Sequence, residues 1–415
     1  MLNLSRRSLM QSSLAAAAGA LLPIRAGLAA APALPPPIGK EERLARLAKA
    51  RSLMQRQGIG AIIVEPGASL DYFTGVRWSR SERLTAAVIP ASGDPIIVTP
   101  FFEKPSVSES LMVPAEILTW DEHEEPLKLV AAVLRETKAA AAPVGIEETN
   151  RFFIVDRLRA ELPKLAVRNA NPVVRGCRMF KSPAELALMQ AASDITLDTI
   201  REVHGRLKEG MTPGRIGEML EAGMVSRGGR NAWSLVLLGE ASAYPHGTGK
   251  PQAVRRGEVV LIDTGCAVHG YQSDISRSFV FGKPTAEQRR VWEQVAQGQK
   301  IAMQAARVGT PAGRVDDAVR AAYTRWGYGP DYKLPGLSHR TGHGIGMEGH
   351  EPINLVRGEE ARLAPGMCFS NEPGIYLPGK FGIRLEDCFH MTRAGPRWFS
   401  VPPLSIDDPI GRSAA

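Results

Sequence analysis

The chain has 415 residues, of which 44% are hydrophobic, 23% charged and 6% aromatic, so we expect two or three globular domains and exclude a disordered or collagen-like chain. The formal net charge is +8, but no basic block is interleaved with aromatic residues, which disfavours a nucleic-acid partner. The four cysteines lie far apart without C-x-x-C spacing, so neither a disulfide framework nor a cysteine-based zinc site is expected.

The first residues resemble a twin-arginine export signal. Arg6 and Arg7 stand in a Ser-Arg-Arg-Ser-Leu-Met motif, an alanine-rich apolar stretch follows, and small residues at 29–31 suit signal cleavage. The apolar stretch is too short for a membrane span. We therefore expect a signal peptide over 1–31, a proline-rich spacer over 32–39, and a periplasmic or secreted protein with no stable membrane span after signal removal.

The next region has the pattern of an α/β domain. Near-heptad apolar spacing that stops at Gly58 predicts a first helix, and β-branched runs with a Ser-Gly-Asp turn predict strands and a hairpin. The predicted elements are a helix over 40–57, strands over 61–64, 84–89 and 95–98, a helix over 126–138 and a strand over 143–147. We place this domain at residues 40–173.

The region from 174 to 415 contains an internal repeat. Ser182 and Thr285 each begin a capping box at the start of a long helical stretch. Each stretch is followed by a similar Thr-Pro helix start and then by strand-rich sequence. The second helix starts lie at 210–215 and 309–314, and the strand-rich segments at 258–281 and 367–392. Two copies of this order predict a pseudo-twofold α+β domain whose helices cover an antiparallel sheet.

In the first strand-rich segment, the spacing of two aspartates indicates a cation site. Asp263 ends a continuous apolar run, and Asp274 lies on the returning strand. If the bend centres between residues 268 and 269, the two carboxylates face each other with Cβ atoms about 4.5–5.5 Å apart. Two opposed carboxylates repel, and a cation between them would reverse the sign of that interaction.

The second half adds further polar side chains of the same kind. Arg384 and Glu386 are two residues apart and share a face on a strand, Glu372 precedes a Pro-Gly turn, and His343 and His350 lie on a glycine-rich segment. Four carboxylates and one imidazole form a mostly hard ligand set that suits Mn²⁺, Co²⁺, Fe²⁺ or Zn²⁺. A shared cluster could hold two ions that lower the pKa of a bridging water. His339 could also line this pocket, whereas Cys266 and Cys388 are expected to pack rather than to ligate.

These segments resemble the catalytic motifs of the metallopeptidase family with the pita-bread fold, which contains X-prolyl aminopeptidase, prolidase, methionine aminopeptidase and the metal-free creatinase. The similar segments are Leu261–Ser276, Thr341–Pro352 and Asn371–Asp387, and Ser69–Gly75 resembles the N-terminal domain of creatinase and prolidase. The resemblance implies a pita-bread catalytic domain over 174–415, preceded by the smaller creatinase-type α/β domain.

The resemblance also implies a ligand set. Asp263 would chelate one ion, His343 and Glu372 would bind the other, and Asp274 and Glu386 would bridge the two. Creatinase lacks these ligands, so their presence disfavours metal-free chemistry. The expected cofactor is a pair of divalent ions, with manganese first and cobalt, zinc or iron as alternatives.

Four residues receive catalytic roles from the same resemblance. Glu372 would accept the proton of the attacking water, and His246 and His350 would hold substrate and stabilise the tetrahedral intermediate. Arg384 matches an arginine near the metals of the prolyl-type enzymes. Gly349 departs from the family pattern, because many relatives carry a larger apolar residue there.

The function expected from these features is an exported dinuclear-metal exopeptidase that hydrolyses the Xaa-Pro bond at the N-terminus of peptides or in dipeptides. The resemblance also implies a homodimer. Two alternatives stay open: a metal-dependent hydrolase of a non-peptide amide or modified amino acid, and a non-catalytic binding protein that reuses the fold. The choice between aminopeptidase and dipeptidase is left open by the sequence.

Overall fold

A computed structural model describes residues 33–414, so the twin-arginine segment predicted over 1–31 lies outside the described residues. Within the described range, no helix combines the length and the apolar character that crossing a bilayer requires. The described chain forms a smaller α/β domain followed by a larger domain of two similar halves.

The smaller domain is a six-stranded mixed sheet with helices on both faces. Its elements are α1 (Lys40–Gln57), β1 (Ala61–Val64), α2 (Ala68–Thr74), β2 (Ala86–Pro90), β3 (Ile96–Pro100), α3 (Lys104–Ser110), β4 (Glu116–Trp120), α4 (Pro126–Glu136), β5 (Val144–Ile146), α5 (Phe152–Glu161), β6 (Val167–Asn169) and α6 (Asn171–Arg178). The strand order is β4-β3-β2-β1-β5-β6. Helices α1 and α6 share one apolar cluster, and α4 and α5 share the other, so the central strands β1, β2, β3 and β5 are buried on both faces.

The predicted elements of this domain are confirmed, and several elements were not foreseen. Helix α1 has the predicted bounds and is followed by Gly58 in the left-handed conformation, with φ 62°. Strands β2 and β3 pair antiparallel as the predicted hairpin, and α4 ends at Glu136, two residues before the predicted end. Helices α2, α3, α5 and α6 and strands β4 and β6 had no prediction, since most are short and lack a clear period.

The larger domain repeats an order of two helices followed by antiparallel strands. The first half contains α7 (Pro183–Arg206), α8 (Pro213–Ser226), β7 (Arg230–Leu238), β8 (Val259–Val268), β9 (Tyr271–Gln272) and β10 (Ile275–Val280). The second contains α9 (Ala286–Ala305), α10 (Gly313–Arg325), β11 (Gly342–Gly344), β12 (Glu351–Leu355), β13 (Cys368–Asn371), β14 (Gly374–Leu377), β15 (Phe381–Arg384), β16 (Asp387–Thr392) and β17 (Gly395–Trp398). Two short strands follow, β18 (Ser400–Val401) and β19 (Arg412–Ser413).

The strands of the larger domain form two main sheets. One has the order β10-β8-β7, with β9 also paired to β8, and the other has the order β12-β11-β13-β16-β17. All pairs within these sheets are antiparallel, as predicted. Strands β14 and β15 form a separate two-stranded ribbon, so the second strand-rich segment is not one continuous hairpin.

The helix starts of the two halves are only partly alike. Both capping boxes are present, at Ser182 and Thr285. Thr212 caps α8 through its side chain, but α10 begins at Gly313 without a side-chain cap. The predicted Thr310 start is displaced because Pro311 forms a β-bridge with Arg362, which keeps that part of the chain extended.

The register of β8 with β10 differs from the predicted one. Asp263 lies opposite Ser276 rather than opposite Asp274. The bend is formed by His269 and Gly270, whose φ values of 47° and 90° are those of a two-residue hairpin turn, one position later than predicted. The observed partner, Ser276, lies two residues after the predicted partner, Asp274, and side chains two residues apart share a face. Asp274 therefore lies on the same face of the hairpin as Asp263, as its diagonal neighbour.

Candidate metal centre

The structure brings all eight sequence-predicted site residues to one cavity of about 830 Å³. They come from both halves of the larger domain, which explains why no single segment of sequence contains the site. The residues are His246, Asp263, Asp274, His343, His350, Glu372, Arg384 and Glu386. Gln272, Trp233 and Arg340 line the same cavity and were not predicted.

Three buried side chains form the inner part of the site. Asp274, His343 and Glu386 are 5%, 1% and 2% exposed, and each offers one ligand atom within 4.8 Å of the other two. Asp274 Oδ1 and Glu386 Oε1 are buried without a hydrogen-bond partner among the described residues. A buried carboxylate oxygen without a partner is costly, and a cation would supply the missing interaction. The donor set therefore fits the divalent ions expected from the sequence.

His343 is held in the form that binds metals. Its Nδ1–H donates to the Gly344 carbonyl at 3.1 Å, which leaves the Nε2 lone pair directed into the site. Nε2 lies 3.7 Å from Asp274 Oδ2 and 3.4 Å from Glu372 Oε1. Burial, and then the neighbouring His350, lower the pKa of His343 well below its usual range, so the imidazole is neutral.

The carboxylates destabilise one another when no cation is bound. Burial raises the pKa of Asp274 well above its usual value, and the negative charges of Asp263 and Glu372 raise it further. Burial, and then the charge of Asp274, raise the pKa of Glu386 well above its usual value. Burial also raises the pKa of Glu372, to about 7. A bound divalent ion would favour the ionised forms and remove this repulsion.

Asp263 differs from Asp274 and Glu386, because both of its carboxylate oxygens have hydrogen-bond partners. Arg384 Nη2 donates to Oδ2 at 2.5 Å, and the Ser276 hydroxyl lies 2.8 Å from Oδ1. The same hydroxyl lies 2.8 Å from Glu386 Oε2 and accepts from Arg384 Nε at 2.9 Å. A hydroxyl has one proton, so Ser276 donates to one carboxylate at a time. Sequence reasoning missed Ser276, although its position two residues after Asp274 places it on the same side of the strand.

The two proposed catalytic histidines are exposed at the cavity wall. The His350 ring centre lies 4.1 Å from that of His343, whereas His246 follows Pro245, whose carbonyl accepts from Arg384 Nη1 at 3.1 Å. At Gly349, a Cβ would meet no atom within 4 Å. The small residue at this position therefore leaves open space beside His350.

His339 lines the cavity, as the sequence had suggested. Its Nε2 lies 2.8 Å from the Tyr376 hydroxyl, which also accepts from Arg384 Nη1 at 3.3 Å. Burial and the Arg384 guanidinium lower the pKa of His339 to about 3, so the ring is neutral. Tyr376 was not predicted, because nothing in its local sequence marks it as a residue of the site.

The cysteines pack, as expected. All four are buried and free. Cys388 lies nearest the ligands, but its Sγ donates to the Asp274 carbonyl at 3.3 Å and burial raises its thiol pKa well above the usual range. A protonated thiol is a poor metal ligand, so the site is formed by carboxylates and imidazole.

Family models match both domains of the chain. Residues 187–393 match the model of Metallopeptidase family M24, and residues 46–180 match the Creatinase/Prolidase N-terminal domain. The probable dipeptidase PepE of Mycobacterium tuberculosis (strain ATCC 25618 / H37Rv) is 32% identical over 358 residues, which cover 84% of this chain and 92% of that protein. The Xaa-Pro dipeptidase of Lactobacillus helveticus is 30% identical and covers 80% of this chain and 90% of its own.

Solved structures of similar proteins share the fold. Dipeptidase PepE from Mycobacterium ulcerans superposes with a TM-score of 0.79 at 31% identity, covering 88% of this chain and 96% of that one. The prolidase from Thermococcus sibiricus gives 0.79 at 28% identity, covering 86% and 96%. The predicted pita-bread domain with a preceding creatinase-type domain is confirmed. This chain therefore belongs to metallopeptidase family M24 and is a metallopeptidase.

Proposed function

We propose that this chain is an exported dinuclear-metal exopeptidase that hydrolyses Xaa-Pro bonds, with Xaa-Pro dipeptides as its main substrates. The observation that carries the metal part of the proposal is a pair of buried oxygens, on Asp274 and Glu386 beside His343, that have no hydrogen-bond partner among residues 33–414. The preference for dipeptides is supported by the similar proteins, which are named as a probable dipeptidase and an Xaa-Pro dipeptidase.

In this proposal the five ligands hold two divalent ions, manganese first and cobalt, zinc or iron as alternatives. Asp274 and Glu386 would serve as ligands of both ions, Asp263 would be a ligand of one, and His343 and Glu372 would be ligands of the other. When bound, such ions polarise the scissile carbonyl and lower the pKa of a water between them.

The chain's own residues orient the substrate and move the proton. Glu372 accepts the proton of the attacking water, and His246 and His350 hold the substrate and the developing negative charge. Arg384 donates to Asp263, to the Ser276 hydroxyl and to the Pro245 carbonyl. We assign it to holding Asp263 in place.

A substrate panel tests the proposal. The manganese-reconstituted protein is assayed with Xaa-Pro dipeptides, longer Xaa-Pro peptides, Xaa-Ala dipeptides and creatine, with Asp274→Ala as the inactive control. We expect Xaa-Pro dipeptides to give the highest kcat/KM, and metal analysis to give about two ions in the wild-type protein and fewer in the variant. Preference for longer peptides would assign an aminopeptidase. Turnover of creatine alone would favour the amide hydrolase, and absence of turnover would favour a binding protein.

Export and dimerisation belong to the same proposal. Residues 1–31 support delivery to the periplasm or secretion through the twin-arginine route. A homodimer is proposed from family resemblance, and sedimentation velocity at several concentrations measures it directly. A species that sediments as a monomer at all concentrations would contradict this part.

A further inference from the structure

A buried ion cluster joins the smaller domain to the larger one at the start of β12. Glu351, at the start of β12, is 4% exposed. Its carboxylate accepts from Arg178 Nη2 at 2.6 Å and from Lys181 Nζ at 2.9 Å. Arg178 is the last residue of α6, and Lys181 lies in the connection between the domains, so two cations from outside the strand neutralise one carboxylate.

The same carboxylate holds the backbone of the loop before it. Glu351 Oε1 accepts the backbone N–H groups of Met347 at 2.9 Å and Glu348 at 3.3 Å. Arg178 also pairs with the Glu348 side chain at 2.7 Å. A Cβ at Gly346 would lie 2.7 Å from both Glu351 Oε2 and Lys181 Cε, so a side chain there would have to displace the ends of these two side chains.

This loop connects a metal-ligand position to a proposed catalytic position. It runs from His343 on β11 to His350, and the two rings are in contact. Gly344 pairs with Glu351 in the β11–β12 register, so this backbone pair closes the loop at its base and the Glu351 carboxylate holds N–H groups within it. A displacement of about 1 Å at a reacting group can cost about a hundredfold in rate, which makes such a clamp relevant to catalysis.

We propose that Glu351, clamped by Arg178 and Lys181, is a positioning residue that holds His350 at the metal centre, so that the smaller domain sets the turnover of the larger one. The proposal rests on the proposed function for the role of His350. It does not depend on the identity of the substrate, because the clamp acts on backbone groups of the loop.

A double-mutant cycle separates positioning from general stabilisation. Glu351→Gln, His350→Ala and the double variant are compared on the best substrate of the panel. We expect Glu351→Gln to lower kcat about 10- to 100-fold, with KM and metal content within about twofold of wild type. In the His350→Ala background the same change should cost less than about twofold. An equal loss in both backgrounds, or unchanged kcat in Glu351→Gln, would overturn the proposal.

Two further variants keep the proposal testable if Glu351→Gln folds poorly. Lys181→Met removes one cation, and Lys181→Arg should restore most of the kcat that Lys181→Met loses. The matched control is Arg175→Met, on the same helix α6, because Arg175 pairs with Glu148 and does not contact the loop. We expect it to leave kcat unchanged.

A readout without activity distinguishes failure of this proposal from failure of the proposed function. Amide hydrogen exchange at Met347 and Glu348, followed by mass spectrometry, should increase in Lys181→Met and Glu351→Gln and stay at the wild-type level in Arg175→Met. Unchanged protection would overturn the clamp even if Xaa-Pro hydrolysis is found. Increased exchange in a protein that cleaves no Xaa-Pro bond would uphold the clamp and overturn only the substrate assignment.

Discussion

At the scale of single residues, Ser276 connects three groups of the site. Its hydroxyl lies 2.8 Å from Asp263 and 2.8 Å from Glu386, and accepts from Arg384. Asp263 and Glu386 come from different halves of the larger domain. The hydroxyl thus sets the separation of two carboxylates that would both be metal ligands in the proposed site, although it has no ligand role itself.

Ser276→Ala should therefore lower metal affinity or activity by about 10- to 100-fold, as is common when a group that orients metal ligands is removed. The effect is measured by metal titration and by kcat, each determined for the wild-type protein and for Ser276→Ala. The control is Ser273→Ala, because Ser273 is also buried but bonds to Thr196 and Cys266 and does not line the cavity. Wild-type metal affinity and kcat in Ser276→Ala would contradict this role.

At the scale of secondary-structure elements, the turn between β8 and β9 decides how the first sheet presents its ligands. His269 and Gly270 adopt φ values of 47° and 90°, and β9 pairs with β8 immediately after them. A turn of this kind matches the twist of the flanking strands, and glycine adopts it without a side-chain penalty. The turn thereby sets the position of Asp274 relative to Asp263.

Gly270→Ala should lower the free energy of unfolding by about 1–2 kcal/mol, because an alanine is strained in this backbone conformation. The space is available, since the nearest atom to the new Cβ would be Met347 Cε at 3.5 Å. Gly205→Ala, in the exposed last turn of α7 with nothing within 4 Å, should have no cost or add up to about 1 kcal/mol. Urea unfolding measures both, and equal effects of the two changes would contradict the argument.

At the scale of the whole molecule, the charge cluster between the domains makes stability depend on pH. Burial alone would raise the pKa of Glu351, but Lys181 and Arg178 lower it to about 2. Because this folded-state value lies below the unfolded value of about 4.3, the cluster stabilises the protein above about pH 4.3. That stability is lost as the pH falls toward 2.

The difference in unfolding free energy between wild type and Glu351→Gln should consequently shrink as the pH is lowered from 5 to 3. Urea unfolding of the metal-free proteins at several pH values measures this difference. Glu148→Gln is the comparison, because Glu148 pairs with Arg175 at the surface, where solvent screens the interaction. A wild-type to Glu351→Gln difference that is constant with pH would contradict the prediction.

The proposed export is also tested on the whole molecule. Replacing both Arg6 and Arg7 by lysine should leave the protein in the cytoplasm with its signal uncleaved, because lysine does not reproduce the planar guanidinium donors. Fractionation of cells that express the two forms measures this. Unchanged periplasmic delivery of the double-lysine form would show that another route, or none, is used.

The sequence by itself determined the features that depend on a few neighbouring residues. The capping boxes at Ser182 and Thr285, the end of α1 at Gly58 and the run of β1 could be predicted because each depends on contacts within about four positions. The motif segments were specific enough to predict the family and eight of the residues that line the cavity, since their residue types and spacing are those the family chemistry requires.

Only the tertiary structure decided how distant segments meet. The register that places Ser276 opposite Asp263, the approach of Tyr376 to His339 and the Arg178–Glu351 pair could not be predicted. Arg178 and Glu351 are 173 positions apart, and no local pattern encodes a contact over such a separation. Such contacts form because packing of the two domains and the two halves brings charged groups together and excludes water, which depends on the whole chain rather than on any segment of it.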